Sequence, residues 1–287
     1  MTVVILTPDP GDPSYAGQWP DVLTRHQAAL AGAGVQSRSE AWTDHVLSGK
    51  ALAEAPLVLP LVAWGYHRDH ALWTAACAAW ARDGVRMLNP PDVLSWNSDK
   101  SYLGRLAGRG VPIPLTVWVD APTQADVDTA FDRFDTDRLV VKPRVSGGAW
   151  KTLRLSRGQP LFDAPDGPAL IQPYLPSIET EGETSLLFFD RRFSHAVRKT
   201  PVPGEFRIQV QFGGRYRSVE PPPEALALAG TVLAGIDEDL LYARIDMARA
   251  PDGGWLLMEA ELIEPDLYLA QAPDGGAAFA LAVARRL

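Results

Sequence analysis

"LLYARIDMARAPDGGWLLMEAELIEP", Leu240 to Pro265, reads as two strands folded back on each other. Pro251-Asp252-Gly253-Gly254 is a turn signal between two segments of alternating character. If those residues form the loop and Ala250 faces Trp255, then Asp246 falls opposite Glu259 and Arg244 opposite Glu261. Side chains alternate across a strand. Tyr242, Arg244 and Asp246 then share a face with Leu257, Glu259 and Glu261. Ala243, Ile245, Met247, Met258, Ala260 and Leu262 form the other, apolar face. Two carboxylates opposite each other repel and destabilise a sheet. A hard divalent cation removes the repulsion, and Mg²⁺ is typically held by one or two carboxylates together with phosphate oxygens and water. The competing reading is a solvated face on which Arg244 pairs with Glu261. The residue pattern leaves both open, and a one-residue slip would destroy the alignment.

A second stretch, "LVVKPRVSGGAWKT" (Leu139 to Thr152), places Lys142 in a strand and follows it with a Ser146-Gly147-Gly148 loop. A lysine in a buried strand is costly unless an anion meets it. The loop lies between strands and does not match the G-x-x-x-x-G-K-[ST] phosphate loop. A glycine hairpin can still lay backbone N–H groups over phosphates. Taken alone, a flexible hairpin is the plainer reading.

Composition bounds the rest. The chain has 287 residues, room for one large or two to three small domains. Its net charge of -8 argues against a general nucleic-acid or membrane-surface binder, so any anion site is local. Cys77 is the one cysteine, which rules out an internal disulfide framework and fits a reducing cytoplasm. The N-terminus has no basic segment followed by an apolar core, so no signal peptide is expected. "APLVLPLVAW" is too short to span a bilayer.

Along the chain, Thr2–Thr7 reads as a buried strand and Pro20–Ala33 as a helix stopped by Gly34. "PLVLPLV" reads as a second strand, and Asp69 caps a helix from His70 to Arg82. Strand-helix alternation implies a small α/β unit with a parallel sheet, ending near residue 90. A helix is expected in "SDKSYLGRLAGRG", a strand in "IPLTVWV", and a Thr123-capped helix in "TQADVDTAFDRF". "RLVVKPRV", "WKTLRLS" and "ALIQPYL" read as strands, with a β-rich region to about residue 219. Helices in "PPPEALALAGTVLAG" and "AAFALAVARRL" flank the acidic hairpin.

The order and spacing of these motifs across about residues 90 to 270 resemble the ATP-grasp superfamily, in particular its bacterial glutathione synthetase and ribosomal-protein glutamate ligase branch. The resemblance implies an α/β and α+β fold with an N-terminal α/β domain (1–90), a central subdomain with a lid (91–170) and a C-terminal α+β subdomain (171–287). "NPPDVLSWNSDKSYL" and "LVVKP" are similar to the segments carrying the two ATP-binding lysines, here Lys100 and Lys142. "SGGAW" resembles the phosphate-covering loop, here Ser146, Gly147 and Gly148. "LIQPYLPSIETEGETSLLFFD" resembles the hinge, implying adenine contacts by Gln172, Tyr174 and Leu175 and a ribose contact by Glu183. "PVPGEFRIQVQFGG" implies that Arg207 meets phosphate or an acyl phosphate, with Arg244 as a second catalytic arginine. "RIDMA" and "MEAELIEP" imply Asp246, Glu259 and Glu261 as ligands of Mg²⁺, two ions in all. Two positions depart from the pattern. Glu261 stands where asparagine is usual, and Ile208-Gln209 replace an asparagine after the arginine motif. "HAVRKTPVPGEFR" and "MEAELIEPDLYL" are similar to segments of the D-cycloserine-forming ligases of the superfamily, which cyclise a ureido-serine.

The resemblance therefore implies an ATP-dependent carboxylate–amine ligase. It would act on an amino acid or small peptide-like substrate through an acyl phosphate, releasing ADP and phosphate. The alternatives are a cyclising ligase, a nucleotide-binding module without ligase activity, and a kinase that stops at phosphoryl transfer. Arg198 and Lys199 are candidates for the substrate carboxylate, or else an exposed basic pair. Tyr66 and His67, with Asp9, follow first-domain strands, where ligands sit in open α/β sheets. His67 and His70 have zinc-like spacing, but His70 begins a helix. Trp64 and Trp150 read as packing residues, and Cys77 as inert core. The expected partners are small-molecule carboxylates and amines, with neither nucleic acid nor membrane. Homo-oligomerisation is left open.

Overall fold

The computed structural model describes residues 2–12, 18–205 and 207–287, and of Val210 the backbone only. Three sheets organise the chain.

The first is parallel, in the order β2-β1-β3. β1 (Thr2–Thr7) is an unbroken β-branched and apolar run buried on both faces, as the centre of a parallel sheet requires. α1 (Trp19–Gly32) returns the chain to β2 (Gln36–Ala41). β2 has the sequence QSRSEA, an exposed edge whose polar pattern gives no apolar signal, and it was not anticipated. α2 (Lys50–Ala53) precedes β3, which shrinks from the expected "PLVLPLV" to Val58–Leu59 because Pro60 has no amide to donate. α3 (His70–Arg82) starts where expected, Asp69 Oδ1 accepting from the Leu72 amide at 2.9 Å. An unanticipated helix, α4 (Pro91–Asn97), packs on α3. The helix expected from Ser98 begins later, as α5 (Tyr102–Gly108), because Asp99 accepts from the Ser101 amide and makes a turn there.

The second sheet holds β4 (Val117–Val119), β5 (Arg138–Pro143), β6 (Leu153–Ser156) and β7 (Ala169–Pro173), antiparallel in the order β4-β7-β5-β6. α6 (Gln124–Phe134) covers one face, opened by a Thr123–Asp126 capping box and burying Val127, Ala130 and Phe131. The third sheet follows the short α7 (Ser177–Thr180). It contains β8 (Glu183–Phe189), β9 (Arg192–Thr200) and β10 (Arg215–Val219). After α8 (Pro223–Ala234) come β11 (Tyr242–Arg249) and β12 (Trp255–Glu261). The order is β10-β9-β8-β11-β12. α8 covers the face of Leu186, Ile245 and Met247. α9 (Ala277–Ala284) packs against α1, and Phe279 joins Val3, Ile5 and Phe189 in one core spanning the first and third sheets. Buried Asn89 adds polar fastening there, its amide donating to the Tyr242 and Leu262 carbonyls and accepting from the Leu241 amide.

The acidic hairpin keeps the expected pairs at one end and corrects them at the other. Arg244 faces Glu261 and Asp246 faces Glu259. Near the turn, however, Trp255 faces Arg249 rather than Ala250, and Leu257 faces Met247. Ala250 belongs to the loop, its amide donating to the Gly254 carbonyl at 2.8 Å. The register shifts just after Asp246, leaving Met258 as the extra residue of a bulge. The bulge sends Leu257 into the apolar core with Ile245 and Ala260, and turns Met258 toward the cavity, the reverse of the expectation for both. Among the described residues no helix is long and apolar enough to cross a membrane.

Candidate functional site

A cavity of about 320 Å³ lies where the three sheets meet. The third sheet supplies its floor, the second sheet and its glycine loop a roof, and residues 64–67 of the first unit a side wall. Every sequence-derived site residue except Arg198 and Asp9 lines it.

One end is apolar. Leu175, Ile178, Ile208 and Met258 cluster there beside Val140 and the hinge residues Gln172 and Tyr174. Gln172 donates to Thr116 Oγ1 at 3.0 Å. Tyr174 donates to Glu179 at 2.8 Å, with the Arg138 guanidinium 4.7 Å over its ring. A narrow slot with a few fixed polar groups suits a flat heterocycle.

Two lysines face the middle of the cavity. Lys142 is half-buried on β5, and burial lowers its pKa, offset in part by Glu259. No hydrogen bond or ion pair reaches its ammonium among the described residues, and Glu259 and Glu183 offset its charge only at longer range. Lys100 donates to the carbonyl and hydroxyl oxygens of Ser146 at 3.2 and 3.4 Å and lies 3.7 Å from Glu259. Ser146, Gly147 and Gly148 all line the cavity, so the loop lies directly beside Lys100. Arg144 anchors its base through a bidentate pair with Asp99 at 2.9 and 2.7 Å. Lys151 pairs with Asp166 outside, and Trp150 lies 6.2 Å from His67 across the mouth.

The floor carries a buried charge network. Lys199 extends from β9 over β8, reaching Glu183 at 2.5 Å and Asp246 at 3.0 Å. Asp246 also accepts from Ser185 at 2.6 Å and from Arg244 at 2.9 Å. Arg244 in turn pairs with Glu261 and stacks 5.1 Å from the Tyr268 ring. Burial alone would raise the Asp246 pKa, but Arg244 and Lys199 hold the carboxyl well below the usual carboxylate range. Burial raises Glu261 to about 7, with Asp246 and Glu259 adding to the rise and Arg244 opposing it. Glu183, expected at the ribose, is raised by burial and held by Lys199.

Arg207 lines the cavity, ion-paired with Glu205 at 2.7 Å and 3.7 Å from the Phe212 ring centre. Arg198 does not line it. Alternation along β9 sends Arg198 to the face opposite Lys199, where its Nε has no partner among the described residues. The basic pair therefore divides, one member per face. Tyr66 and His67 both reach the cavity. Burial, then Arg68 and Lys100, lowers the His67 pKa to about 4, so the ring is neutral at pH 7. His70 bonds Ser98 instead of pairing with His67 for a metal. The sequence reading missed Glu264, Asp266, Tyr216, Tyr268, Gln209 and Gln211, all in the lining. The first two were legible as further acids in "ELIEPD", though nothing in the sequence showed that the chain after β12 bends along the wall.

Among the described residues no three His, Cys, Asp or Glu side chains converge to hold a metal. Asp246 is saturated by Ser185, Lys199 and Arg244. Glu259 is less engaged, and it stands two residues from Glu261 on the same strand face. Two carboxylates, completed by phosphate and water, are a donor set that suits Mg²⁺. Glu259 thus fits a Mg²⁺ ion most readily, Glu261 once it loosens its pair with Arg244, and Asp246 only if it gives up a cation.

No protein-family model matches the chain. It is 31% identical over 222 residues to the cycloserine biosynthesis protein DcsG of Streptomyces lavendulae, covering 71% of this chain and 74% of that one. The crystal structure of D-cycloserine synthetase DcsG superposes with a TM-score of 0.83 at 26% identity, covering 100% of this chain and 99% of that one. The ATP-grasp ligase PsnB, solved with a precursor variant, Mg and ADP, shares the fold, with a TM-score of 0.67 at 15% identity over 99% and 98% of the two chains.

Proposed function

The chain belongs to the ATP-grasp ligases, and from that premise we propose how its own residues work as an ATP-dependent carboxylate–amine ligase. The observation that carries the reading is Lys142: a half-buried ammonium with no hydrogen-bond or ion-pair partner among the described residues, facing a cavity with an apolar slot at one end. ATP satisfies both features. The adenine lies in the slot between Val140, Leu175 and Met258, beside Gln172 and Tyr174. Lys142 and Lys100 offset the phosphate charge. Ser146, Gly147 and Gly148 cover the phosphates, and Glu183 offers a carboxylate to the ribose. Glu259 and Glu261 would hold Mg²⁺, two ions in this reading, with Asp246 as a third donor once it gives up a cation, and the metal would supply charge neutralisation at the phosphates.

Phosphoryl transfer needs positioning and charge neutralisation more than a covalent protein nucleophile. A substrate carboxylate oxygen attacks the γ-phosphorus, and the bond to ADP breaks. Arg207 presents a planar donor fork to the transferring group, and Arg244 supports the acyl phosphate from the floor. An amine then attacks the acyl carbon, phosphate leaves, and the amine loses a proton. Closure of the glycine loop excludes water, which would otherwise hydrolyse the intermediate. Lys199 holds the floor carboxylates in place beside the reacting group. Buried Cys77, the one cysteine, supports a reducing, cytoplasmic setting.

The cyclising form of the reaction, in which one molecule supplies both carboxylate and amine, is favoured by the likeness to DcsG over nearly the whole chain. The test is ADP release with Mg²⁺ and ATP. A ureido-serine is offered alone, and separate amino acids are offered with amine acceptors added one at a time. ADP formed one-for-one with a ring product from the ureido-serine supports cyclisation, and acceptor-dependent release supports an intermolecular ligase. Tight ATP binding with no carboxylate-stimulated ADP release refutes the ligase and leaves a nucleotide-binding module.

A further inference from the structure

The acidic groups around the cavity are nearly all spoken for. Glu183 and Asp246 share Lys199, Glu261 takes Arg244, and Glu259 lies near Lys100. Asp266 accepts the amide of Tyr268 at 2.9 Å. Glu264 is the exception. Its side-chain oxygens have neither a hydrogen bond nor an ion pair among the described residues, yet it is half-buried and lines the cavity. Its place is fixed from behind, because the Trp64 indole N–H donates to its backbone carbonyl at 3.1 Å.

We propose that Glu264, with Trp64 and Tyr66 beside it, is the recognition point for a protonated amine on the substrate. This rests on the ligase reading of the same cavity and names the substrate class as a zwitterion, a carboxylate and an ammonium on one small molecule. A half-buried carboxylate with no donor carries an unmet desolvation cost. A compact ammonium with three N–H donors meets that cost and sits well against aromatic faces. A second Mg²⁺ suits the position less well. Mg²⁺ keeps waters and phosphate oxygens around it, whereas Lys100 and Lys142 mark the phosphate position nearer Glu259. Indole and phenol walls suit an organic cation. Specificity then comes from both ends of the molecule: an analogue without the amine leaves Glu264 unpaired, and buried polar groups left unpaired discriminate strongly.

The test is direct binding to enzyme loaded with Mg²⁺ and a non-hydrolysable ATP analogue. The probes are a ureido-serine and its des-amino analogue, measured by calorimetry on wild type and on Glu264→Gln, which keeps shape and removes charge. Wild type is expected to bind the amine-bearing probe at least 10-fold tighter than the des-amino one. In Glu264→Gln the gap closes, while ATP affinity and the Mg²⁺ requirement stay as they were. A gap that persists in the variant overturns the assignment alone. So does a raised Mg²⁺ requirement, which would make Glu264 a metal ligand. If neither probe binds wild type, the zwitterion reading falls together with the amino-acid reading of the site.

Discussion

Replacing Lys199 with methionine tests whether the buried network holds the floor together or merely waits for substrate. Methionine keeps most of the stem and removes the charge. In the native protein the ammonium lies 2.5 Å from Glu183 and 3.0 Å from Asp246, with only 4% of the side chain exposed. Breaking a buried pair by deleting one partner costs about 3–5 kcal/mol, because the other charge is left without compensation. Against a total stability of about 5–15 kcal/mol for a typical domain, that is a fifth or more. Asp246 retains Arg244 and Ser185, so Glu183 bears most of the loss. Glu183→Gln in the Lys199→Met background should therefore recover about 1–3 kcal/mol, a non-additivity read by a double-mutant cycle. The pH dependence has a definite sign. Burial raises the Glu183 pKa in the folded protein above its ordinary value of 4.5, with Lys199 as the main opposing charge. A carboxyl raised by folding binds its proton more readily in the folded state, so its contribution worsens as pH climbs above 4.5. Deleting Lys199 widens that window, and the cost of Lys199→Met should be larger at pH 8 than at pH 5. Urea unfolding followed by tryptophan fluorescence measures both. A loss below about 1 kcal/mol, or an equal loss at pH 5 and pH 8, would refute the reasoning.

Three other perturbations carry different signs. Lys142→Met should weaken ATP binding by about 10- to 100-fold, as loss of a charged hydrogen bond implies. It should leave unfolding free energy equal or higher, because no described residue hydrogen-bonds or ion-pairs with that ammonium and its burial is costly; nucleotide titration and urea unfolding read the two separately. Glu259→Gln should raise the Mg²⁺ concentration for half-maximal ADP release at least 10-fold with little change in melting temperature, and an unchanged Mg²⁺ profile would remove this residue from the metal site. His26 is buried with Nδ1 unpartnered among the described residues, and burial followed by Arg25 lowers its pKa to about 3. A histidine lowered by folding gives stability that is present above the unfolded value of 6.5 and is lost as pH falls toward 3. Wild type should lose about 2 kcal/mol of stability on this account between pH 7 and pH 5, and His26→Leu should lose correspondingly less over the same interval.

Much of the fold was legible because local rules and tertiary packing agree in it. The Thr123 capping box, the Asp69 cap, the buried β1 and the glycine turn before β12 each depend on residues within a few positions of one another. β2 and α4 were illegible for the opposite reason. β2 is a polar edge paired on one side only, and α4 takes its apolar partners from α3 across the fold. Lys100, Lys142 and the three hairpin acids, all in the cavity lining, were picked out by short motifs, since the phosphate and metal chemistry proposed for them constrains residue type and spacing.

The sequence alone pointed to Asp246 facing Glu259 and Arg244 facing Glu261, through alternation along two strands and a turn placed one residue off. Only the tertiary structure decided what those groups meet. Lys199, 47 positions from Asp246, crosses β8 to reach it, and so turns an expected metal ligand into the centre of an ion-pair network. The bulge at Met258 restores the pairing that a shifted turn would have broken, and hands Met258 to the cavity and Leu257 to the core. Glu264 is left unpaired among the described residues by the same logic. Pairing of charges depends on which strands lie side by side, and that follows from how three sheets pack rather than from any spacing along the chain.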